Sequence, residues 1–246
     1  MMLLIGHRGA RGEAPENTLA GFRYLRRLGI RAVELDIRLA GDGSLVVIHD
    51  DSLARTTLSD GLTSRMSATE LAAVDALHRR FPDWPGQEGV PTLAAVMKEL
   101  ADFTHIQFEV KPASPEECRL IAERFVPLWR ESGFGERAFT TCFNPLYLQA
   151  VRELAPEIPR GFLIEQDFAG DAVAMASALG CRSLGPHQAR CTPALVSAAQ
   201  AAGLIVSTWT VNDPARMDEL AAIGVDSLIT DVPALALRER PALFRP

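Results

Sequence analysis

The chain has little of what marks several functional classes. Its 246 residues include four cysteines, at positions 118, 142, 181 and 191, with no CxxC pair. That argues against a disulfide framework and reads as four reduced, mostly buried thiols. There is no HExxH and no Cys/His cluster, so nothing points to zinc. No stretch approaches the ~20 apolar residues of a membrane span. Met1 to Gly6 is too short an apolar run for a signal peptide and is followed at once by His7 and Arg8. A cytoplasmic protein without a membrane span is expected. The formal charge is −6 and basic residues are scattered rather than clustered, so nucleic acid is not expected as a partner. No linker is long or polar enough to divide the chain, which predicts one domain over residues 1–246.

What is present is an ordinary globular composition, 48% hydrophobic and 23% charged, enough to fill a large core. One punctuation recurs: a helical pattern, a glycine, a hydrophobic residue, then a β-rich run. It occurs at Gly29, Gly133, Gly180, Gly203 and Gly224. Glycine suits the left-handed residue that closes a helix, so the repetition predicts successive α-to-β connections and a parallel sheet. Strands are expected at 3–6, 32–38, 105–110, 138–142, 160–163, 183–185, 205–208 and 227–230. Helical patterns lie between and after them, at 18–28, 93–100, 115–131, 145–154, 170–179, 193–202, 214–223 and 233–239. In the first, Leu19, Phe22, Leu25 and Leu28 recur at helical spacing, with Asn17 as the expected N-cap. Eight such strands in a chain of this length predict a TIM (β/α)8 barrel.

One stretch breaks the alternation. Gly41-Asp42-Gly43 is a turn signal, and Ser44 to His49 reads as a strand returning beside the second barrel strand. Residues 50–90 follow as a small insertion after that second strand, with one short helix expected at 68–74. An inserted subdomain over the C-terminal rim would shape access to a site there. A flap without substrate contact is the plainer reading.

The rim is where such barrels keep their chemistry. His7-Arg8 follows the first strand, Glu34 and Asp36 lie near the end of the second, His49 ends the hairpin strand, and Glu109 and Lys111 end the third. Glu34 and Asp36 are two apart, so on a strand both face the same way. Paired acids on an inward face need an occupant that offsets their repulsion. A divalent cation held by Glu34, Asp36 and Glu109 is expected, and hard oxygen ligands favour Mg²⁺ or Ca²⁺. His7 and His49 are the acid/base candidates. Arg8 offers a planar fork suited to phosphate, and Lys111 a point charge that could equally bridge to the acids. Trp209, after the seventh strand, is read as an apolar wall for substrate carbons or as barrel packing. His187 faces the correct end but is a weaker candidate for substrate contact. His78 is expected at the surface, and His105 starts a strand far from the rim. Asp231 is read as the cap of the helix beginning near Pro233.

Taken together, these segments resemble the glycerophosphodiester phosphodiesterase family. They are His7-Arg8-Gly9-Ala10, Pro15-Glu16-Asn17-Thr18, Glu34-Leu35-Asp36, Val47-Ile48-His49-Asp50, Glu109-Val110-Lys111, Trp209-Thr210-Val211-Asn212 and Thr230-Asp231-Val232-Pro233. Thr141-Cys142-Phe143-Asn144 departs from the family's pattern by lacking its serine. The resemblance implies a TIM barrel with an insertion after its second strand. It implies hydrolysis of glycerophosphodiesters to glycerol 3-phosphate and an alcohol. It further implies metal binding at Glu34, Asp36 and Glu109, and acid/base roles for His7 and His49. Which histidine plays which part stays open. The first attacker is water or the substrate's glycerol 2-hydroxyl, and the resemblance favours the second, through a cyclic phosphate. Metal-dependent aldolases and isomerases, phospholipase D-like and phosphoinositide phospholipase C-like enzymes, and a sugar-phosphate binding module are the rival readings. The head-group alcohol and any homo-oligomer are left open.

Overall fold

The computed structural model describes residues 1–244. Eight parallel strands close on themselves: β1 (Leu3–His7), β2 (Ala32–Leu39), β4 (His105–Val110), β5 (Ala138–Cys142), β6 (Arg160–Ile164), β7 (Ser183–Pro186), β8 (Ile205–Thr208) and β9 (Ser227–Thr230). Pairing of β1 with both β2 and β9 completes the ring. This is the expected TIM barrel. The short β3 (Leu45–Val47) returns antiparallel on β2, as the turn signal predicted.

Helices α1 (Leu19–Arg27), α3 (Leu93–Glu99), α4 (Pro115–Ser132), α5 (Pro145–Leu154), α6 (Ala172–Ala178), α7 (Pro193–Ala201), α8 (Pro214–Ile223) and α9 (Pro233–Glu239) cover the outside. Their sequences explain their limits. Ser114, Asn144, Thr192 and Asp213 each accept a hydrogen bond from the first turn of the next helix, and proline follows each in the first turn. The five glycines that punctuate the sequence all adopt positive φ, from +66° to +90°, which a side chain would resist. The helix at α1 starts one residue later than expected, because Thr18 and not Asn17 is its N-cap: the Thr18 hydroxyl accepts from Gly21 N–H.

Alternate strand residues face the helices and build the main core, which includes Leu35, Ile37, Ile106, Phe108 and Phe162. The other set faces the barrel axis, and much of it is polar. Gln107 reaches across the axis to donate to Ser207 at 3.0 Å. Residues 50–90 contain a short helix, α2 (Ala68–Ala72), closed by a Ser67–Glu70 capping box. Leu53, Leu71, Val74, Ala76 and Val90 pack with Val46 and Ile48 into a second small core. Among the described residues no helix is long and apolar enough to cross a membrane.

Candidate active site

Parallel register does the first work of assembly. His7 pairs with Glu34 and Asp36 with Glu109, so residues far apart in sequence end level on adjacent strands. Closure does the same at the other edge: Gly6 pairs with Thr230, which sets Asp231 beside His7. Beyond β1 the chain doubles back tightly. A Cβ on Gly6 would lie 2.0 Å from the Gly9 carbonyl oxygen, so only glycine permits this turn. Arg8 and Asn17 both take left-handed backbone conformations, at φ 52° and 56°. Asn17 N–H donates to the Arg8 carbonyl at 2.9 Å, so the two strained residues hold one another.

Glu34, Asp36 and Glu109 bring ligand oxygens within 4.8 Å of one another, and all three are buried. Glu34 Oε1 has no donor at all, and Asp36 Oδ1 and Glu109 Oε1 face only the Lys111 ammonium. Buried carboxylate oxygens this poorly satisfied are costly, and the three together form a hard-oxygen cradle that a divalent cation fits. The Lys111 ammonium approaches two of them, pairing with Glu109 and lying 3.4 Å from Asp36 Oδ1. Burial raises Glu34 well above the ordinary glutamate range, and repulsion from Asp36 and Glu109 adds to the rise. Burial also raises Glu109, with Lys111 opposing. Asp36 moves the other way: burial is outweighed by Arg8 and then Lys111, so it stays ionised.

Both histidines present the same nitrogen to an aspartate. His7 Nδ1 lies 2.5 Å from Asp231 Oδ1, and its Nε2 is 3.8 Å from Glu34 Oε2. His49 Nδ1 lies 2.6 Å from Asp50 Oδ1. Burial lowers the proton affinity of both rings, against the pull of Asp231 on His7 and of Asp36 on His49.

A chain of charges joins these groups. Asp50 pairs with Arg55. Arg55 donates to both Glu16 oxygens, at 2.8 and 2.9 Å. Glu16 accepts from Arg8 at 2.9 Å, and Arg8 Nε is 3.0 Å from Asp36 Oδ2. Asn17 donates to the same Asp36 oxygen at 2.9 Å. Arg55 thus ties residues 50–90 to the barrel rim through Glu16 and holds the His49-bonded Asp50 at the same time.

A small cleft opens beside the acids, lined by His7, Glu34, Gln107, Glu109, Thr141, Leu163, Trp209 and Ile229. Trp209 is both wall and packing: it lines the cleft while its indole N–H donates to Gly185 O at 2.9 Å. Phe143 and His187 meet it edge-on, at 5.4 and 5.3 Å between centroids. A larger groove between α3 and α4 gathers none of these residues.

A model of the glycerophosphoryl diester phosphodiesterase family matches residues 7–235. The chain belongs to this family. A glycerophosphodiester phosphodiesterase from Caldanaerobacter subterraneus subsp. tengcongensis is 32% identical over 232 residues, 94% of each chain. An Oleispira antarctica phosphodiesterase, solved in complex with the product sn-glycerol-3-phosphate, matches with a TM-score of 0.90 and 30% identity, over 98% of this chain and 97% of its own. A glycerophosphodiester phosphodiesterase from Agrobacterium tumefaciens C58 matches with a TM-score of 0.82 and 29% identity, over 96% and 98%.

Within this family of phosphodiester hydrolases, the chain gathers His7, His49, Glu34, Asp36, Glu109, Arg8 and Lys111 into one sector of the rim. The fork of Arg8 is already engaged by Glu16 and Asp36, so it stands there as a fixed, buried cation. Two expectations are corrected. Asp231 does not cap α9: the cap position is Val232, with no side-chain bond, and Glu13 accepts from Ala234 and Leu235 N–H instead. Its carboxylate is spent on His7, Arg11 and Asn212. Asn17 is spent on Asp36 rather than on its helix. Glu16 and Arg55 carried no chemical signal of their own; membership of the Pro15-Glu16-Asn17-Thr18 segment that carries the family resemblance was the clue to Glu16.

Proposed function

We propose that the chain hydrolyses glycerophosphodiesters to glycerol 3-phosphate and an alcohol, with one divalent cation, Mg²⁺ or Ca²⁺, at Glu34, Asp36 and Glu109. One observation carries the reading: three buried acids share a cluster within 4.8 Å beside two imidazoles, with Glu34 Oε1 lacking any donor and the facing oxygens of Asp36 and Glu109 meeting only the Lys111 ammonium. The Oleispira relative, solved in complex with the product sn-glycerol-3-phosphate, supports the substrate class. When bound, the cation supplies Lewis-acid stabilisation of charge on the phosphodiester's non-bridging oxygens.

The chain's own residues do the rest. Each Nδ1 is taken by an aspartate, so Nε2 of His7 and of His49 are the proton-handling atoms. One takes the proton of the attacking hydroxyl, from water or from the substrate's glycerol 2-hydroxyl. The other gives a proton to the oxygen of the departing alcohol. On the 2-hydroxyl route this leaves a cyclic phosphate, which water then opens: the histidine that protonated the alcohol takes the proton of the water, and the first returns one to the glycerol 2-oxygen. Arg8 and Lys111 add positive charge on the phosphate side; burial opposes their charge, but the surrounding carboxylates outweigh it and keep both protonated. Trp209 walls the carbon skeleton. Residues 50–90 act as a subdomain of the single 1–246 domain, docked on the rim through Arg55. Four buried free thiols fit a cytoplasmic, reducing setting.

The test is direct. The purified protein is incubated with a panel of glycerophosphodiesters in Mg²⁺, Ca²⁺ or EDTA, and glycerol 3-phosphate release is read with its dehydrogenase. Cation-dependent release from at least one member is expected. No release from any member overturns the substrate class, and full activity in EDTA removes the cation.

A further inference from the structure

We propose that Asp231 is the positioning residue of His7, fixing its ring as the Nδ1–H tautomer so that Nε2 alone handles protons at the site. The inference rests on the acid/base reading of His7 given above, and it extends the machinery to the opposite end of the chain.

The geometry is specific. Asp231 Oδ1 stands 2.5 Å from His7 Nδ1, across 224 residues of sequence. The carboxylate is itself immobilised. Asn212 Nδ2 donates to Oδ2 at 2.8 Å, and Asn212 Oδ1 accepts from the Asp231 backbone N–H at 2.9 Å and from the Thr230 hydroxyl at 3.1 Å. Arg11 Nε lies 3.1 Å from Oδ1. With a guanidinium and an amide donor already aimed at it, the carboxylate is an acceptor only. The ring nitrogen facing it must then be the donor. A neutral imidazole has one N–H, so placing it on Nδ1 leaves the lone pair on Nε2, the atom that points toward Glu34.

The register explains why this residue holds the post. β9 is the last barrel strand and neighbours the first, so the residue after Thr230 sits beside the residue after Gly6. Closure of the barrel brings acid and base together without any local motif. A helix-capping role is excluded, because the cap of α9 uses Val232 without a side-chain bond.

The experiment combines turnover with a tautomer measurement on the full chain in saturating Mg²⁺. Asp231→Asn keeps size and shape but can present its amide N–H₂ to Nδ1. Expected are a kcat at least about 10²-fold lower and a KM within about threefold, the pattern of a misoriented proton-transfer group with substrate binding preserved. Long-range ¹H–¹⁵N correlation spectra, with His7 assigned by its disappearance in His7→Gln, should show Nδ1 protonated in the native protein and Nε2 protonated in Asp231→Asn. Retention of the Nδ1–H form in the variant, or a kcat within about threefold of native, overturns the proposal. If Asp231→Asn does not fold, Asn212→Ala decides: it keeps the carboxylate but releases one clamp. It should give a mixture of tautomers and a smaller kcat loss, and unchanged spectra with unchanged kcat would overturn the proposal. The spectra read the ring whatever the substrate, so an inactive native protein refutes the substrate class without touching the tautomer assignment.

Discussion

Replacing Glu34 by glutamine should stabilise the cation-free protein while destroying its response to cation. Glu34 shares a 4.8 Å cluster with two other carboxylates. At an effective dielectric near 20, each such pair repels by about 3.5 kcal/mol. Arg8 and Lys111 offset much of this, and burial of the charge adds to it. A net penalty of about 1–3 kcal/mol for ionised Glu34 is the expected remainder, typical of an imperfectly compensated buried charge. For a chain of this size that is a gain of roughly 3–10 °C in Tm for Glu34→Gln in EDTA. Glutamine can still accept the Arg8 backbone N–H that Glu34 Oε2 accepts at 3.2 Å. The sign with pH follows from the raised folded pKa. Such a group holds its proton more tightly when folded, so its favourable contribution is complete below the unfolded value, ~4.5, and is lost as pH rises through the folded value. The variant's advantage should therefore grow from mildly acidic to neutral pH. Native protein should gain about 2.7 kcal/mol at a cation concentration 100-fold above its Kd, and the variant far less. Differential scanning calorimetry in EDTA, Mg²⁺ and Ca²⁺ measures all of this. A variant less stable than native in EDTA, or one that keeps the native cation response, would refute the reasoning.

Three other perturbations test different links. His7→Ala and His49→Ala should each lower kcat by about 10²–10⁴-fold, and near-native turnover in either contradicts its role. Arg55→Met unties Asp50 and Glu16 without emptying a core site, so kcat should fall by about tenfold with Tm little changed; an unaltered steady-state rate would show that the tether is dispensable. Gly6→Ala should cost about 1–3 kcal/mol or more and depress activity with it, since the added methyl meets the Gly9 carbonyl beneath the His7 turn. A native denaturation midpoint for that variant would mean the turn yields.

The barrel was legible because its signals are local. A glycine after each of five helical patterns, proline at helix starts and short apolar runs need only a few neighbouring residues to be read, and those elements fall within a residue or two of expectation. The candidate site was legible for a related reason. Buried acids and imidazoles at strand ends are expensive, so their presence in apolar runs is itself a signal. Glu34-Leu35-Asp36 advertises itself; Glu16 does not, because a glutamate in a Pro-Glu-Asn-Thr turn is ordinary until Arg8 and Arg55 are seen to converge on it.

Asn17 and Asp231 show where local reading misleads. Both stand beside a helix start, and both are residue types that cap helices, so local propensity assigned them there. Each is instead taken by a long-range partner that local propensity cannot see. Asn17 lies in a left-handed conformation and turns its amide to Asp36, while its neighbour Thr18 caps α1. Asp231 turns to His7 across the seam where the last strand meets the first. The seam is the informative place. In an open sheet the first and last strands share no register, and side chains at their ends stay strangers. In a closed barrel every strand end has two neighbours, and the residues after β1 and β9 become as close as residues on a hairpin. Reading a closed barrel therefore calls for pairing the rim residues of its first and last strands before assigning either to a cap. Applied to this chain, that step alone sets the Asp231 carboxylate against the imidazole that needs it.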